Sequence, residues 1–132
     1  MSNKKLGNDF EERFCKMLYD QGFWVHKFAQ NADGQPADIL AARDGNSYLI
    51  DCKVCSNGIF DLSRIEENQI NSMALWLNRG NGCGWFALEF DNGNIYMIRH
   101  TVLEALTPYH KVIGEREVLL NGYLFELWCK SW

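Results

Sequence analysis

Residues 36–54 read PADILAARDGNSYLIDCKV, and the fold turns on how this stretch is read. Two strand-like runs, Ala37 to Arg43 and Ser47 to Val54, flank Asp44-Gly45-Asn46, a tight-turn sequence that predicts an antiparallel hairpin. Carboxylates interrupt both strands. Asp38 stands just before Ile39-Leu40-Ala41, and Leu49-Ile50-Asp51-Cys52-Lys53-Val54 places Asp51 and Lys53 on one face by alternation. A carboxylate and an ammonium in an apolar strand are costly unless satisfied by each other, by a metal or by hydrogen bonds. The hairpin therefore carries either a structural ion pair or a functional site.

Working outward, Leu6, Phe10, Phe14, Met17 and Leu18 recur at helical spacing, which predicts a helix over residues 4–20 that stops at Gly22. Phe23 to Phe28 reads as a strand, and Ala29 to Pro36 as a polar loop. On the other side, Ser63 with Glu66 resembles a capping box and predicts a helix from Ser63 to Asn78, its apolar stripe formed by Leu62, Ile65, Met73 and Trp76. Trp85 to Phe90 and Asn94 to Arg99 predict a second hairpin, followed by a short helix near Val102 to Leu106. The stretch from Glu115 to Trp128 reads as β-rich, turned at Asn121-Gly122. The expected order α-β-β-β-α-β-β plus a tail predicts an α/β fold with a central mixed β-sheet flanked by helices.

Helix phase sorts the remaining polar residues. Glu11 lies about 90° from the centre of the first apolar stripe and Glu12 about 190°, so Glu11 borders the core and Glu12 faces water. Gln69 falls within about 20° of the middle of the second stripe, where an amide needs partners. Glu11, Asp38, Asp51, Lys53 and Gln69 thus point towards one place. Two carboxylates meeting across a hairpin suit Mg²⁺ or Mn²⁺ better than zinc.

With 132 residues, 47 % hydrophobic and 23 % charged, the chain fits a single domain over residues 1–132. No apolar run approaches a membrane span, and the N-terminus lacks the apolar core of a secretion signal, so a cytoplasmic protein is expected. Net charge is −4, with eight Lys/Arg against nine Asp/Glu in residues 1–64 and five against eight in residues 65–132. There is no basic half, so nucleic acid would have to meet a local patch or a divalent cation. Five cysteines fit reduced thiols. Cys52 and Cys55 form a C-x-x-C, but on a strand i and i+3 point to opposite faces, which is unsuited to chelating zinc.

The constellation resembles the PD-(D/E)XK nuclease superfamily. Pro36-Ala37-Asp38 stands for its first motif and Asp51-Cys52-Lys53 for its D-x-K. Gly7-Asn8-Asp9-Phe10-Glu11 looks like the G-x-x-x-E start of Holliday junction resolvases of the archaeal and RecU-like kinds. Phe60 to Ile65, then Gln69, then Gly84-Trp85-Phe86-Ala87-Leu88-Glu89-Phe90, is similar to the RecU-like order. Where the family usually has histidine before the glutamine, this chain has Asn68. The resemblance implies a restriction-endonuclease-like core and a Mg²⁺-dependent, homodimeric endonuclease that cuts branched DNA. By that analogy Asp38, Asp51 and the Cys52 carbonyl hold the metal, Glu11 contributes directly or through water, and Lys53 and Gln69 complete the catalytic set. Lys4, Lys5, Arg13, Lys27 and Arg64, with Gln30 and Asn31 of the loop before Asp38, are the candidates to contact DNA. An apolar dimer surface is expected on the segment from Tyr123 to Trp132. The same residues would serve a restriction-like or repair nuclease, and the same fold a catalytically silent DNA-binding or assembly module. An acidic interaction protein with a structural ion pair is the reading furthest from these.

Overall fold

Asp44 and Gly45 take positive φ, 53° and 82°, the backbone of a two-residue turn whose twist matches that of its flanking strands. It joins β2 (Ile39–Arg43) to β3 (Asn46–Cys55) in the register Ile39↔Ile50. The computed structural model describes residues 3–29 and 34–132. Before the hairpin come α1 (Asn3–Asp20) and β1 (Trp24–Lys27). After it come β4 (Ile59–Asp61), α2 (Glu67–Asn78), β5 (Trp85–Phe90), β6 (Ile95–Arg99) and α3 (His100–Leu106). The chain ends in β7 (Val112–Gly114), α4 (Glu115–Asn121), β8 (Tyr123–Leu124) and α5 (Phe125–Ser131).

Six strands form one sheet in the order β1-β2-β3-β5-β6-β8, in which β3 and β5 are parallel and every other pair antiparallel. The central mixed sheet flanked by helices is therefore as expected. β3 feeds both faces. Ile50 and Cys52 join Phe10, Phe14 and Leu18 of α1 and Phe125 and Trp128 of α5, while Cys55 joins Met73 of α2, Leu103 of α3 and Val118 of α4. The two cysteines of the C-x-x-C thus sit in separate cores. No described helix is long and apolar enough to cross a membrane.

Three expectations fail. The second helix starts at Glu67 instead of Ser63, because the Asp61 carboxylate accepts hydrogen bonds from both the Ser63 amide (2.9 Å) and its hydroxyl (2.7 Å), winding residues 62–64 into a 3₁₀ turn. The true capping box is Glu66 with Gln69, and Leu62 and Ile65 of the predicted stripe precede the helix. The C-terminal stretch is helical, apart from the two residues of β8. Phe125, Trp128 and Cys129 are all buried at i, i+3, i+4 spacing, a helical period that the aromatic, β-like composition concealed. Those same residues turn inward, so the apolar surface expected from Tyr123 to Trp132 is mostly core, and Leu127 is its only strongly exposed large apolar side chain.

Candidate active site

Asp51 is fully buried at the middle of β3. Its Oδ1 accepts a 2.7 Å hydrogen bond from Gln69 Nε2, and its Oδ2 lies 3.2 Å from Lys53 Nζ without a well-directed hydrogen bond. Gln69 comes from the first turn of α2, where its own Oε1 accepts from the Glu66 amide at 3.2 Å. The capping box thus fixes the glutamine that fixes the aspartate. Burial, and then the neighbouring Asp38, push the Asp51 carboxyl well above the usual carboxylate range, with Lys53 opposing.

Asp38 stands just before β2, its amide bonded to the Ile50 carbonyl and its carbonyl accepting from the Phe28 amide. Oδ2 accepts the Cys52 amide at 2.8 Å, and Oδ1 lies 3.4 Å from Gln35 Nε2. Cys52 itself is buried, and its thiol is held well above its ordinary pKa by burial, so its backbone and not a thiolate faces this chemistry.

Glu11 reaches in from α1 with 6 % of its surface exposed, whereas Glu12 points out and lies 3.8 Å from Lys27. Burial and the nearby Asp38 raise the Glu11 carboxyl to about 7, against the attraction of Lys27 and Lys53. Glu11 Oε1 is buried and has no hydrogen-bond partner among the described residues.

Glu11, Asp38, Lys53 and Gln69 line one cleft of about 870 Å³ between the start of α1, the end of β3 and the start of α2, and Asp51 lies fully buried beside them, bonded to Gln69 and next to Lys53. Among its lining residues are the carboxylates Glu11, Asp38, Asp61 and Glu66 and the cations Lys4, Lys53 and Arg64. Among the described residues, no group of three His, Cys, Asp or Glu side chains is spaced as a ready-made metal cage. Mg²⁺ does not require one, since it takes one or two carboxylates and keeps several waters. The unpartnered Glu11 oxygen and the hard-oxygen donor set fit such an ion.

The candidate DNA contacts divide. Lys4 and Arg64 line the cleft, Arg64 anchored by Nη1 on the Val54 carbonyl at 2.6 Å. Lys5 is exposed on α1, and Lys27 lies on β1 within electrostatic reach of Glu11. Arg13 is engaged elsewhere, in a two-pronged pair with Glu89 at 2.6 and 2.8 Å. Gln30 and Asn31 lie outside the described residues. Sequence reasoning missed Gln35, Asn68, Asp61 and Glu66 at this site. Gln35 and Asn68 carry no periodic signal, because one sits in a polar loop and the other on an exposed helix face.

A sequence search of curated proteins returns no match. The structure of Hjc, a Holliday junction resolvase from the archaeal hyperthermophile Archaeoglobus fulgidus, superposes with a TM-score of 0.70 at 17 % identity, over 94 % of this chain and 95 % of that one. The bacterial homing endonuclease I-Ssp6803I superposes with a TM-score of 0.65 at 11 % identity, over 99 % and 95 %. At these identities both report the shared nuclease fold. The sequence profile of the archaeal Holliday junction resolvase (hjc) family matches residues 2–120, which is nearly the whole chain, and the chain belongs to that family.

Proposed function

We propose that this chain is a divalent-metal-dependent endonuclease that hydrolyses phosphodiester bonds in branched DNA, with the Holliday junction as its substrate and a homodimer as its working form. The observation that carries the reading is the placement of Asp38 and Asp51 at one end of the hairpin, beside a cleft lined by Asp38, Glu11 and Lys53, where Lys53 lies 3.2 Å from Asp51 and a buried Glu11 oxygen has no partner among the described residues. Asp38, Asp51 and the Cys52 carbonyl would hold Mg²⁺ or Mn²⁺, with Glu11 binding directly or through water. When bound, the ion supplies positive charge beside the scissile phosphate and acidifies a water.

The chain's own groups do the rest. Gln69 on Oδ1 and Lys53 beside Oδ2 together fix the rotation of the Asp51 carboxylate. The Cys52 amide holds one oxygen of Asp38, Oδ2. Lys53, a compact charge only 13 % exposed, stabilises the negative charge that grows on the phosphate oxygens in the transition state. Lys4 and Arg64 line the same cleft and meet flanking phosphates. Two nicks in a two-fold symmetric junction call for two active sites related by the same symmetry.

The decisive assay offers four-way junction, duplex, flap and single-stranded DNA with Mg²⁺, with Mn²⁺ and with EDTA. Paired, metal-dependent nicks confined to the four-way junction are expected. Cutting of duplex or flap in preference would make this a restriction-like or repair nuclease, and metal-dependent binding without cutting on any substrate would sink the enzymatic reading. Light scattering that gives only monomer, with and without junction, would refute the homodimer.

A further inference from the structure

The first turn of α2 faces both carboxylates of the site. Gln69 holds Asp51 directly. Its neighbour Asn68 turns instead to the segment that leads into β2, where its Nδ2 donates to the Gln35 carbonyl at 3.3 Å. A Cβ placed on Gly34 would lie 2.8 Å from that same nitrogen, so the Asn68 amide rests against the Gly34-Gln35 backbone. Gly34 has φ +80°, and Pro36 restricts the residue before it to extended backbone. The backbone of Gln35 is thereby held from both sides. Its side chain reaches forward three residues to place Nε2 3.4 Å from Asp38 Oδ1, the oxygen not taken by the Cys52 amide.

We propose that Gln35 is a positioning residue that fixes the rotation of the Asp38 carboxylate, and that Asn68 anchors the segment carrying it. The start of α2 then orients both carboxylates, Asp51 through Gln69 and Asp38 through residues 34–35. A carboxylate held by a single donor can rotate about its last side-chain bond; a second donor on the other oxygen removes that freedom. Outer-shell partners of this kind are worth about 10–100-fold in metal affinity. The inference rests on reading Asp38 and Asp51 as the metal-holding pair.

The test titrates Mn²⁺ calorimetrically into the full chain without DNA, for wild type, Gln35→Ala, Asn68→Ala and the double variant. Urea stability and junction affinity in EDTA are measured alongside. Gln35→Ala should weaken Mn²⁺ binding about tenfold and raise the Mn²⁺ concentration for half-maximal cleavage by the same factor, with stability and metal-free junction affinity unchanged. Asn68→Ala should weaken binding by a smaller factor and add nothing in the Gln35→Ala background, because its effect runs through the Gln35 side chain. Unchanged Mn²⁺ affinity in Gln35→Ala, additive losses in the double variant, or losses that merely track stability would each overturn the positioning role. If wild type binds no Mn²⁺ and cuts no DNA, the reading of the site itself fails; if wild type binds and Gln35→Ala binds equally, only the positioning role fails.

Discussion

Glu11→Gln separates what this carboxylate costs the fold from what it gives the site. Glu11 is buried, one of its oxygens is unpartnered, and its pKa rises from 4.5 to about 7. At about 1.36 kcal/mol per unit, ionising it in the metal-free fold costs about 3 kcal/mol, trimmed to about 2–3 by solvent at the cleft mouth. The sign follows from the direction of the shift. A carboxyl raised on folding gives its full contribution to stability below pH 4.5, where both states are protonated, and loses it as pH rises through about 7. In EDTA, the stability advantage of Glu11→Gln over wild type should therefore be near zero at pH 4.5 and grow to about 2–3 kcal/mol by pH 8. The wild-type curve should fall with pH, and the variant should fall less, because Asp51 is raised as well and still titrates. Urea unfolding at half-unit pH steps measures this. Saturating Mg²⁺ at pH 8 should then stabilise wild type more than the variant, by up to about 2.7 kcal/mol at a hundredfold excess over Kd. Parallel pH profiles would show that Glu11 is not held as a strained carboxylate. An equal response to Mg²⁺ in both proteins would remove it from the metal's surroundings.

Asp51→Asn should abolish metal-dependent cleavage while leaving circular dichroism unchanged and stability in EDTA equal or higher, since it deletes a desolvated carboxylate; retained cutting would refute the metal-holding role. Lys53→Ala should slow single-turnover cleavage by about 10² or more with junction affinity little altered, and a wild-type rate would make Lys53 structural. Glu12→Gln, on the solvent side of α1, should leave stability within about 0.5 kcal/mol and cleavage near wild type; a loss matching that of Glu11→Gln would mean that α1 is placed in the wrong phase. Junction affinity in EDTA should depend weakly on salt, with a log–log slope of about −3 for the cleft cations Lys4, Lys53 and Arg64 at about 0.9 per phosphate; a slope steeper than about −6 would require a further basic surface.

What sequence reveals here is what depends on short range. The β2–β3 hairpin is legible because Asp44-Gly45 specifies its own turn, and once the turn is set, alternation places Asp51 beside Lys53. Helix phase places Glu11 and Gln69 on buried faces because both helices pack on the sheet along one stripe, so an angle measured in sequence becomes a depth in the fold. What stays hidden depends on partners distant in sequence. Ser63 reads as a helix cap until Asp61 claims it. Arg13 reads as a DNA contact until Glu89, 76 residues away, pairs with it. The terminal aromatic stretch reads as strand because Tyr, Phe and Trp favour sheets, yet Phe125 and Trp128 are needed on one side of a short helix to close the core over Phe14 and Phe23.

The same pairings account for where the positive charge of this acidic chain goes. Three of its six arginines are spent on the fold: Arg43 donates to the Gln21, Cys129 and Trp132 carbonyls, Arg99 sits among the rings of Trp85, Tyr123 and Trp132, and Arg13 is tied to Glu89. The cleft is left with Lys4, Lys53 and Arg64 facing Glu11, Asp38, Asp61 and Glu66, a near balance of charge. Electrostatics then couples the two ligands. DNA alone gains little net attraction from such a cleft, whereas a divalent cation held by the carboxylates would add the positive charge that phosphate needs. On the proposed function a metal would do more than chemistry: it would strengthen the hold of the cleft on DNA, so that junction affinity should be higher in Mg²⁺ than in EDTA, and equal affinity in both would refute this coupling.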